Sequence, residues 1–167
     1  GCATGSVEPR NLSLLKEEIG AYVDSGQYAK EIEKISGKAA RWIERRVKEN
    51  AGRNPDTAKR SRLAVVFDLD ETMLSNLSHM RAMHFGYRPA GWDEWVARGE
   101  APAIEPVRAI YLRVRELGCE AIFITGRREH DRPGTEKNLR DIGVTGYSKI
   151  FFKPDETKET TEKFKTA

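Results

Sequence analysis

Apolar residues recur at helical spacing through the first part of the chain. In residues 11–26 and again in residues 28–47 they return every three or four positions, which places them on one face of a helix. Gly26 stands where the first helix would end. Residues 50–62 combine Gly, Pro, Asn and basic side chains, so we interpret them as a linker. The pattern predicts two helices that pack on a following domain.

From residue 62 onward the pattern changes to alternating strands and helices. The strand-like apolar runs are residues 63–70, 119–126 and 148–152. The helical patterns are residues 104–118, residues 136–144 and a segment that begins at 156. Alternation of this kind is typical of an α/β fold with a mainly parallel sheet covered by helices, in which ligands bind at the carboxyl ends of the strands.

Residues 77–102 are too long for an ordinary connection in a compact α/β unit. We interpret them as a small cap inserted above the carboxyl end of the first strand. Their aromatic residues could stack on a substrate or form the core of the cap itself, and we favour the core for Trp92 and Trp95. The chain is thereby divided into a flexible start (1–8), a helical segment with its linker (9–61) and a core domain (62–167).

Composition narrows the classes of function. A chain of 167 residues that is 38% hydrophobic is long enough for one domain with a real core. Its net charge of +3 is almost balanced, so we expect no nucleic-acid partner. No stretch approaches the roughly 20 apolar residues that a membrane helix needs. Two cysteines are too few for a disulfide framework, and we expect Cys119 to be a buried thiol.

The first two residues, Gly1 and Cys2, are followed by small and polar residues. Such a junction is similar to the cleavage site of a bacterial lipoprotein. In that case a lipidated Cys2 would attach the protein to a membrane, and the location would be extracytoplasmic, whether periplasmic, secreted or lipid-anchored. The alternative is that the sequence begins at an arbitrary boundary.

Three acidic residues, Asp68, Asp70 and Glu71, follow the first strand with no basic residue among them. In extended backbone Asp68 and Asp70 point the same way, while Leu69 points into the core. A turn or a helix cap would explain one such residue. The mutual repulsion of an unpaired cluster favours a cation, and Mg²⁺ prefers oxygen ligands. One carboxylate could then act as a nucleophile and the other as a proton donor and base.

The second strand ends in the sequence FITGRR, which brings Thr125, Gly126 and Arg127 to the same edge of the sheet. A hydroxyl group and exposed backbone N–H groups at such a place can hold phosphate oxygens. An ordinary turn after a strand would give the same sequence pattern. The pair therefore gains weight only together with the acidic cluster.

The segments VVFDLDETMLSN and AIFITGR resemble the first and second motifs of the haloacid dehalogenase (HAD) superfamily. The residues of these motifs resemble those of its subfamily III, the class B and C acid phosphatases, which are relatives of plant vegetative storage proteins. Residues 8–32 and 91–106 are also similar to those phosphatases, so the resemblance covers nearly the whole chain. It implies a Rossmann-like, three-layer HAD core with an N-terminal helical extension and a small cap.

The resemblance also implies roles for individual residues. Asp68 matches the nucleophile and Asp70 the general acid and base. Thr125 matches the phosphate-binding hydroxyl of the second motif, with Gly126 beside it. Family members bind Mg²⁺ through the carboxylate of the first Asp and the backbone carbonyl of the second, which here are Asp68 and Asp70.

The third motif of the family is a lysine that neutralises phosphoryl oxygens. The sequence EKFKTA resembles its surroundings and nominates Lys165, with Lys149 and Lys153 as rivals. The fourth motif, an acidic pair that completes the magnesium site, has no match. The acidic residues of 151–159 are rejected as a substitute because they would precede the lysine. We therefore expect the natural chain to continue beyond Ala167, and this chain to bind Mg²⁺ weakly and turn over poorly.

The predicted function is that of an acid phosphatase, which hydrolyses small phosphomonoesters with Mg²⁺ through an aspartyl-phosphate. One alternative is a non-catalytic storage or binding protein on the same fold. Such a protein would be recognised by the loss of the nucleophile, but Asp68 is present in this sequence. Another is a phosphotransferase of the same superfamily. The sequence names neither the substrate nor the pH optimum, and it leaves the oligomeric state open, a homodimer included.

Overall fold

The computed structural model of the chain describes residues 10–53, 56 and 61–166. The predicted flexible start, Cys2 and residues 54, 55 and 57–60 of the predicted linker lie outside these residues. In chain order, the elements of the described part are α1 (Leu12–Asp24), α2 (Gln27–Arg53), β1 (Ala64–Phe67), α3 (Leu77–Ala82), α4 (Pro89–Arg98), α5 (Glu105–Glu116), β2 (Glu120–Arg128), α6 (Arg132–Asp141), β3 (Lys149–Lys153) and α7 (Thr161–Thr166). None of the helices in this part of the chain is long and apolar enough to cross a bilayer.

The three strands form one parallel sheet in the order β1-β2-β3. Phe67 pairs with Phe123, and Phe123 pairs with Ile150. Parallel neighbours need long crossover connections, and the helices between the strands supply them. All three strands therefore end at the same edge of the sheet, which confirms the predicted α/β fold with a parallel sheet.

The main hydrophobic core joins one face of the sheet to α5. The rings of Phe67, Tyr111 and Phe123 lie with their centroids 5.6 to 5.9 Å apart. The hydroxyl of Tyr111 donates a hydrogen bond of 2.6 Å to the carbonyl of Thr145, so the buried phenol is satisfied. Cys119 is a free thiol in this core, as predicted, and burial raises its pKa.

The N-terminal helices form where they were predicted, but much of their apolar stripe is exposed. No residue of α1 is buried, and Ile35 of α2 is 62% exposed. Helix α1 ends at Asp24, and Gly26 has a φ of +76°, as expected for a residue that stops a helix. Helix α2 packs on α5, but Trp42 of its apolar stripe is exposed. The predicted linker begins too early, because α2 continues to Arg53.

Other boundaries shift for local reasons. The first strand covers 64–67 instead of 63–70, and the chain then enters the turn at residues 71–73. Helix α6 begins at Arg132 instead of 136, with a proline in its first turn, where the missing N–H costs nothing. Helix α7 begins at Thr161, five residues later than predicted.

The predicted cap contains α3 and α4, and α4 packs closely on α6 of the core. A Cβ atom added to Gly134 would lie 2.9 Å from the Cα atom of Ala97, so the contact requires glycine at this position. Trp95 is buried with Leu74 and Val96 in a second small hydrophobic cluster. The cap is thereby fixed to the core on the side of α6.

We expect Phe123→Ala to lower the free energy of unfolding by about 3–5 kcal/mol, because it leaves a cavity at the centre of the aromatic core. Urea unfolding followed by circular dichroism measures the change. Phe151→Ala, on a side chain that is 40% exposed, is the matched control and should cost less than about 1 kcal/mol. Equal losses for the two variants would contradict this account of the core.

Candidate active site

The turn that follows β1 places two carboxylates at the carboxyl edge of the sheet. The carbonyl oxygen of Leu69 accepts hydrogen bonds of 2.8 Å from the backbone N–H groups of Met73 and Leu74. The side chains of these three residues are fully buried. Because buried backbone groups need partners, these bonds hold the turn in one conformation. Asp68 and Asp70 lie on either side of this buried anchor.

Asp68 and Asp70 both line a pocket of about 630 Å³. Gly126 and Lys165 contribute to the same wall. The cap contributes His79, Phe85, Tyr87 and Trp92 to the lining of this pocket. The insertion therefore lies over the carboxyl end of β1, where it was predicted. Trp95 belongs to the cap's own core, as predicted, whereas Trp92 packs against that core and also faces the pocket.

Of the three lysines considered from the sequence, Lys165 is the one beside Asp68. Its Nζ atom lies 2.6 Å from Asp68 Oδ1, and both side chains are partly exposed to the pocket. Lys153 is buried and lines a neighbouring pocket. Lys149 lies over the ring of Phe151, 4.4 Å from its centroid. Helix α7 thus carries the cation that faces the predicted nucleophile.

Gly126 allows α7 to approach the sheet. A Cβ atom at this position would lie 2.9 Å from Thr161 Oγ1 and 3.2 Å from Thr161 Cβ, closer than real side chains pack. Thr161 is the first residue of α7, and Lys165 follows four residues later. The absence of a side chain at Gly126 therefore sets how near Lys165 comes to Asp68.

The carboxylate of Asp70 is bound by an arginine that follows the second motif. The Nη2 and Nε atoms of Arg127 lie 2.7 and 3.0 Å from Asp70 Oδ1. Arg127 is only 3% exposed, and its Nη1 atom donates a 3.0 Å hydrogen bond to Thr135 Oγ1. Its guanidinium group also lies over the ring of Trp92, 5.8 Å from the centroid.

Asn76, the last residue of the first motif, connects the acidic turn to the cap. Its Nδ2 atom donates to Asp70 Oδ1 at 2.9 Å and to Glu71 Oε2 at 3.0 Å. Its Oδ1 atom accepts a 2.8 Å hydrogen bond from the indole Nε1–H of Trp95. Sequence reasoning missed Asn76 and gave Arg127 no role. The available signal was a basic side chain within FITGRR, at the end of the strand that pairs with the strand before the acidic cluster.

The premise of an unpaired acidic cluster is wrong. Asp68 pairs with Lys165, Asp70 with Arg127, and Glu71 accepts hydrogen bonds from Asn76. Repulsion among the carboxylates is therefore relieved by groups of the protein. The chemistry of the site, and not a surplus of charge, has to support any metal.

Thr125 lies beneath the site. It is fully buried, its Oγ1 atom accepts a 3.1 Å hydrogen bond from the backbone N–H of Arg127, and it is not among the residues that line the pocket. Its contact with phosphate, like the role of Gly126 in binding phosphate, stays a prediction.

A separate group of possible ligands lies beside the pocket. The ligand atoms of Asp93, His130 and Asp131 are all within 4.8 Å of one another, and none of them belongs to the Asp68 and Asp70 turn. The Nδ1 atom of His130 lies 2.6 Å from Asp155 Oδ1, and this hydrogen bond raises the pKa of the imidazole. Burial raises the pKa of Asp131. Asp155 is thus engaged with His130, and its rejection as a fourth motif stays a prediction.

Comparisons with known proteins agree on one family. The profile of the HAD superfamily, subfamily IIIB (acid phosphatase), matches residues 6–167. Acid phosphatase 1 of Solanum lycopersicum is 30% identical over 96% of this chain and 64% of its own length. Vegetative storage protein 1 of Arabidopsis thaliana is 30% identical over 60% of this chain and 39% of its own length.

The fold is also similar to a solved structure. The class C acid phosphatase from Bacillus anthracis with tungstate bound superimposes with a TM-score of 0.67 at 22% identity. The match covers 90% of this chain and 63% of the Bacillus protein. This chain therefore spans less than two thirds of the length of that protein and of the tomato acid phosphatase. With the profile matched from residue 6 to residue 167, the chain belongs to subfamily IIIB, the acid phosphatases, of the HAD superfamily.

Proposed function

We propose that this protein hydrolyses phosphomonoesters of small molecules through an aspartyl-phosphate formed on Asp68. The observation that carries the proposal is the contact between Lys165 and Asp68 at the wall of a pocket that Asp70 also lines. A nucleophilic carboxylate, a second carboxylate and a cation are the groups that phosphoryl transfer to a protein side chain requires. The three come from two distant parts of the chain and meet at one edge of the sheet.

In the first step, a carboxylate oxygen of Asp68 attacks phosphorus, and the bond from phosphorus to the ester oxygen breaks. Asp70 gives a proton to the departing alcohol. In the second step, Asp70 takes a proton from water as the water oxygen attacks phosphorus and the bond to Asp68 breaks. The ammonium group of Lys165 lies where it can stabilise negative charge on the phosphoryl oxygens.

The donors at the turn fit Mg²⁺ as the cofactor. The Asp68 carboxylate and the Asp70 backbone carbonyl are hard oxygen ligands, and both residues line an open pocket with room for water. Among the described residues, no backbone N–H donates to the Asp70 carbonyl, so this oxygen is available. When bound, Mg²⁺ would offset negative charge on the phosphoryl group.

The cap gives the leaving group an aromatic surface. Phe85, Tyr87 and Trp92 line the same pocket as the two carboxylates. We propose that the organic part of the substrate lies against these rings, and a nucleoside is one group that would fit them. The storage-protein alternative is not favoured, because Asp68 is present and lies against a cation.

Asp68→Asn in the full-length protein should lower kcat with an aryl phosphate by roughly 10³-fold or more, since removing a covalent nucleophile has cost as much as about 10⁶-fold in another enzyme. Asp141→Asn, the same change at an exposed carboxylate that pairs with Lys137, is the control and should leave the rate unchanged. Stopped-assay release of phosphate measures both. Undiminished turnover by the Asp68 variant would exclude it as the nucleophile.

Chelation should remove the activity of the full-length protein, because the proposed mechanism uses a divalent cation to offset phosphoryl charge. We expect EDTA to abolish hydrolysis of the aryl phosphate and added Mg²⁺ to restore it. The rate is followed as a function of Mg²⁺ concentration. Full activity in excess chelator, after dialysis against it, would show that the cofactor assignment is wrong.

Gly126→Ala should lower kcat/KM by roughly 10- to 100-fold, because a displacement of about 1 Å at a reacting group can cost that much. The added methyl group would push α7, and Lys165 with it, away from Asp68. Gly20→Ala, where a Cβ atom meets nothing within 4 Å, is the control. Adding Thr161→Ala should restore much of the loss; a double variant no better than Gly126→Ala alone would refute the steric explanation.

A further inference from the structure

We propose that Arg127 and Asn76 are positioning residues that leave one oxygen of Asp70, Oδ2, to carry the transferred proton. This inference rests on the proposed function, in which Asp70 is the general acid. It assigns the proton to a single atom and gives two buried side chains outside the expected catalytic set a defined part in the reaction.

The two oxygens of Asp70 have different surroundings. Oδ1 accepts from Arg127 Nη2 at 2.7 Å, from Asn76 Nδ2 at 2.9 Å and from Arg127 Nε at 3.0 Å. Oδ2 is reached only by Arg127 Nε at 3.3 Å among the described residues. An oxygen that accepts three N–H groups has no room for a proton of its own. Oδ2 is therefore the oxygen of Asp70 that is left free to give or accept the transferred proton.

The donors cannot turn away from Oδ1. Arg127 is nearly fully buried, and it is held by Thr135 of α6 as well as by Asp70. A buried guanidinium group that lost these partners would be left without hydrogen bonds at a high cost in free energy. Arg127 also cannot give up its protons, so it acts on Asp70 only as a donor.

Trp95 fixes the orientation of the Asn76 amide. An indole N–H can only donate, so the atom of Asn76 that faces it must be the carbonyl oxygen. The amide nitrogen then necessarily faces Asp70 and Glu71. Asn76 is completely buried, which leaves the amide no solvent partner for the reverse orientation. A residue of the cap thereby determines which group of Asn76 meets the general acid.

The side chain of Asp70 is 25% exposed and lines the pocket, so a substrate in the pocket can reach this carboxyl group. When Asp68 attacks phosphorus, the proton on Oδ2 passes to the ester oxygen as its bond to phosphorus breaks. Oδ2 then accepts a proton from the attacking water when the bond between phosphorus and Asp68 breaks. Oδ1 keeps its donors throughout, so the carboxyl group need not rotate.

The test compares two substrates in the full-length protein. An alkyl phosphate needs its leaving oxygen protonated, whereas p-nitrophenyl phosphate has a leaving group that departs with little help. For each variant we compare the ratio of kcat/KM for the alkyl ester to that for the aryl ester, since kcat/KM reports the step in which the alcohol leaves. General acid catalysis is worth about 10²- to 10⁴-fold.

Arg127→Lys keeps the charge but loses the two-point contact with Asp70, and we expect it to lower the ratio by at least about tenfold. Trp95→Phe keeps a buried ring and removes only the N–H donor to Asn76, and it should lower the ratio in the same direction. Arg132→Lys, on a neighbouring arginine that pairs with Glu129 and Glu136, is the matched control and should leave the ratio unchanged.

A variant that merely loosens the fold would slow both esters equally, so equal losses in Arg127→Lys overturn the inference. If Arg127→Lys does not fold, as thermal unfolding would show, Trp95→Phe decides, and an unchanged ratio there overturns it too. Different results would contradict the proposed function: a wild-type protein that hydrolyses neither ester, or an Asp68→Asn variant that hydrolyses both at the wild-type rate.

Discussion

The site depends on the burial of Leu69. Its side chain lies in the core between the two predicted catalytic carboxylates, and its carbonyl oxygen closes the turn with Met73 and Leu74. Removing this apolar anchor from water stabilises the turn, and the turn then holds Asp68 and Asp70 at the edge of the sheet with little freedom. The packing of one leucine thus keeps two carboxylates close together, which would otherwise be unfavourable.

Two cations that are remote in sequence make this arrangement stable. Arg127 comes from the end of β2 and Lys165 from α7, and each pairs with one carboxylate. The two ion pairs differ in how rigidly they hold the carboxylate. The buried, fork-shaped contact of Arg127 holds Asp70 in place, whereas the lysine is a point charge on a flexible stem in the pocket and can follow a phosphoryl group. The same electrostatic need is thereby met by one rigid partner and one adaptable partner.

Much of the fold was predictable, because strand and helix periods and the length of the insertion are local properties. The pairing of the strands in a parallel sheet followed from their alternation with helices, and the choice of Lys165 followed from a resemblance to a family. The partners of Asp70 were not predictable in this way. Arg127 and Asn76 reach it through the register of β2 against β1 and the path of the turn, and no spacing in the sequence encodes those. The acidic cluster has no basic neighbour along the chain, and its partners Arg127 and Lys165 come from distant parts of the sequence.

The close packing of α4 of the cap on α6 of the core affects the surroundings of Asp70. Gly134 lets α4 lie directly on α6, and this contact sets where Trp95 presents its N–H to Asn76. Helix α6 also supplies Thr135, which holds Arg127 from the other side. One helix pair therefore orients both donors of Asp70 Oδ1. A rearrangement of α4 that admits a larger substrate would also disturb Asp70, the proposed general acid, so in this fold the shape of the pocket and the proposed delivery of the proton depend on the same contact.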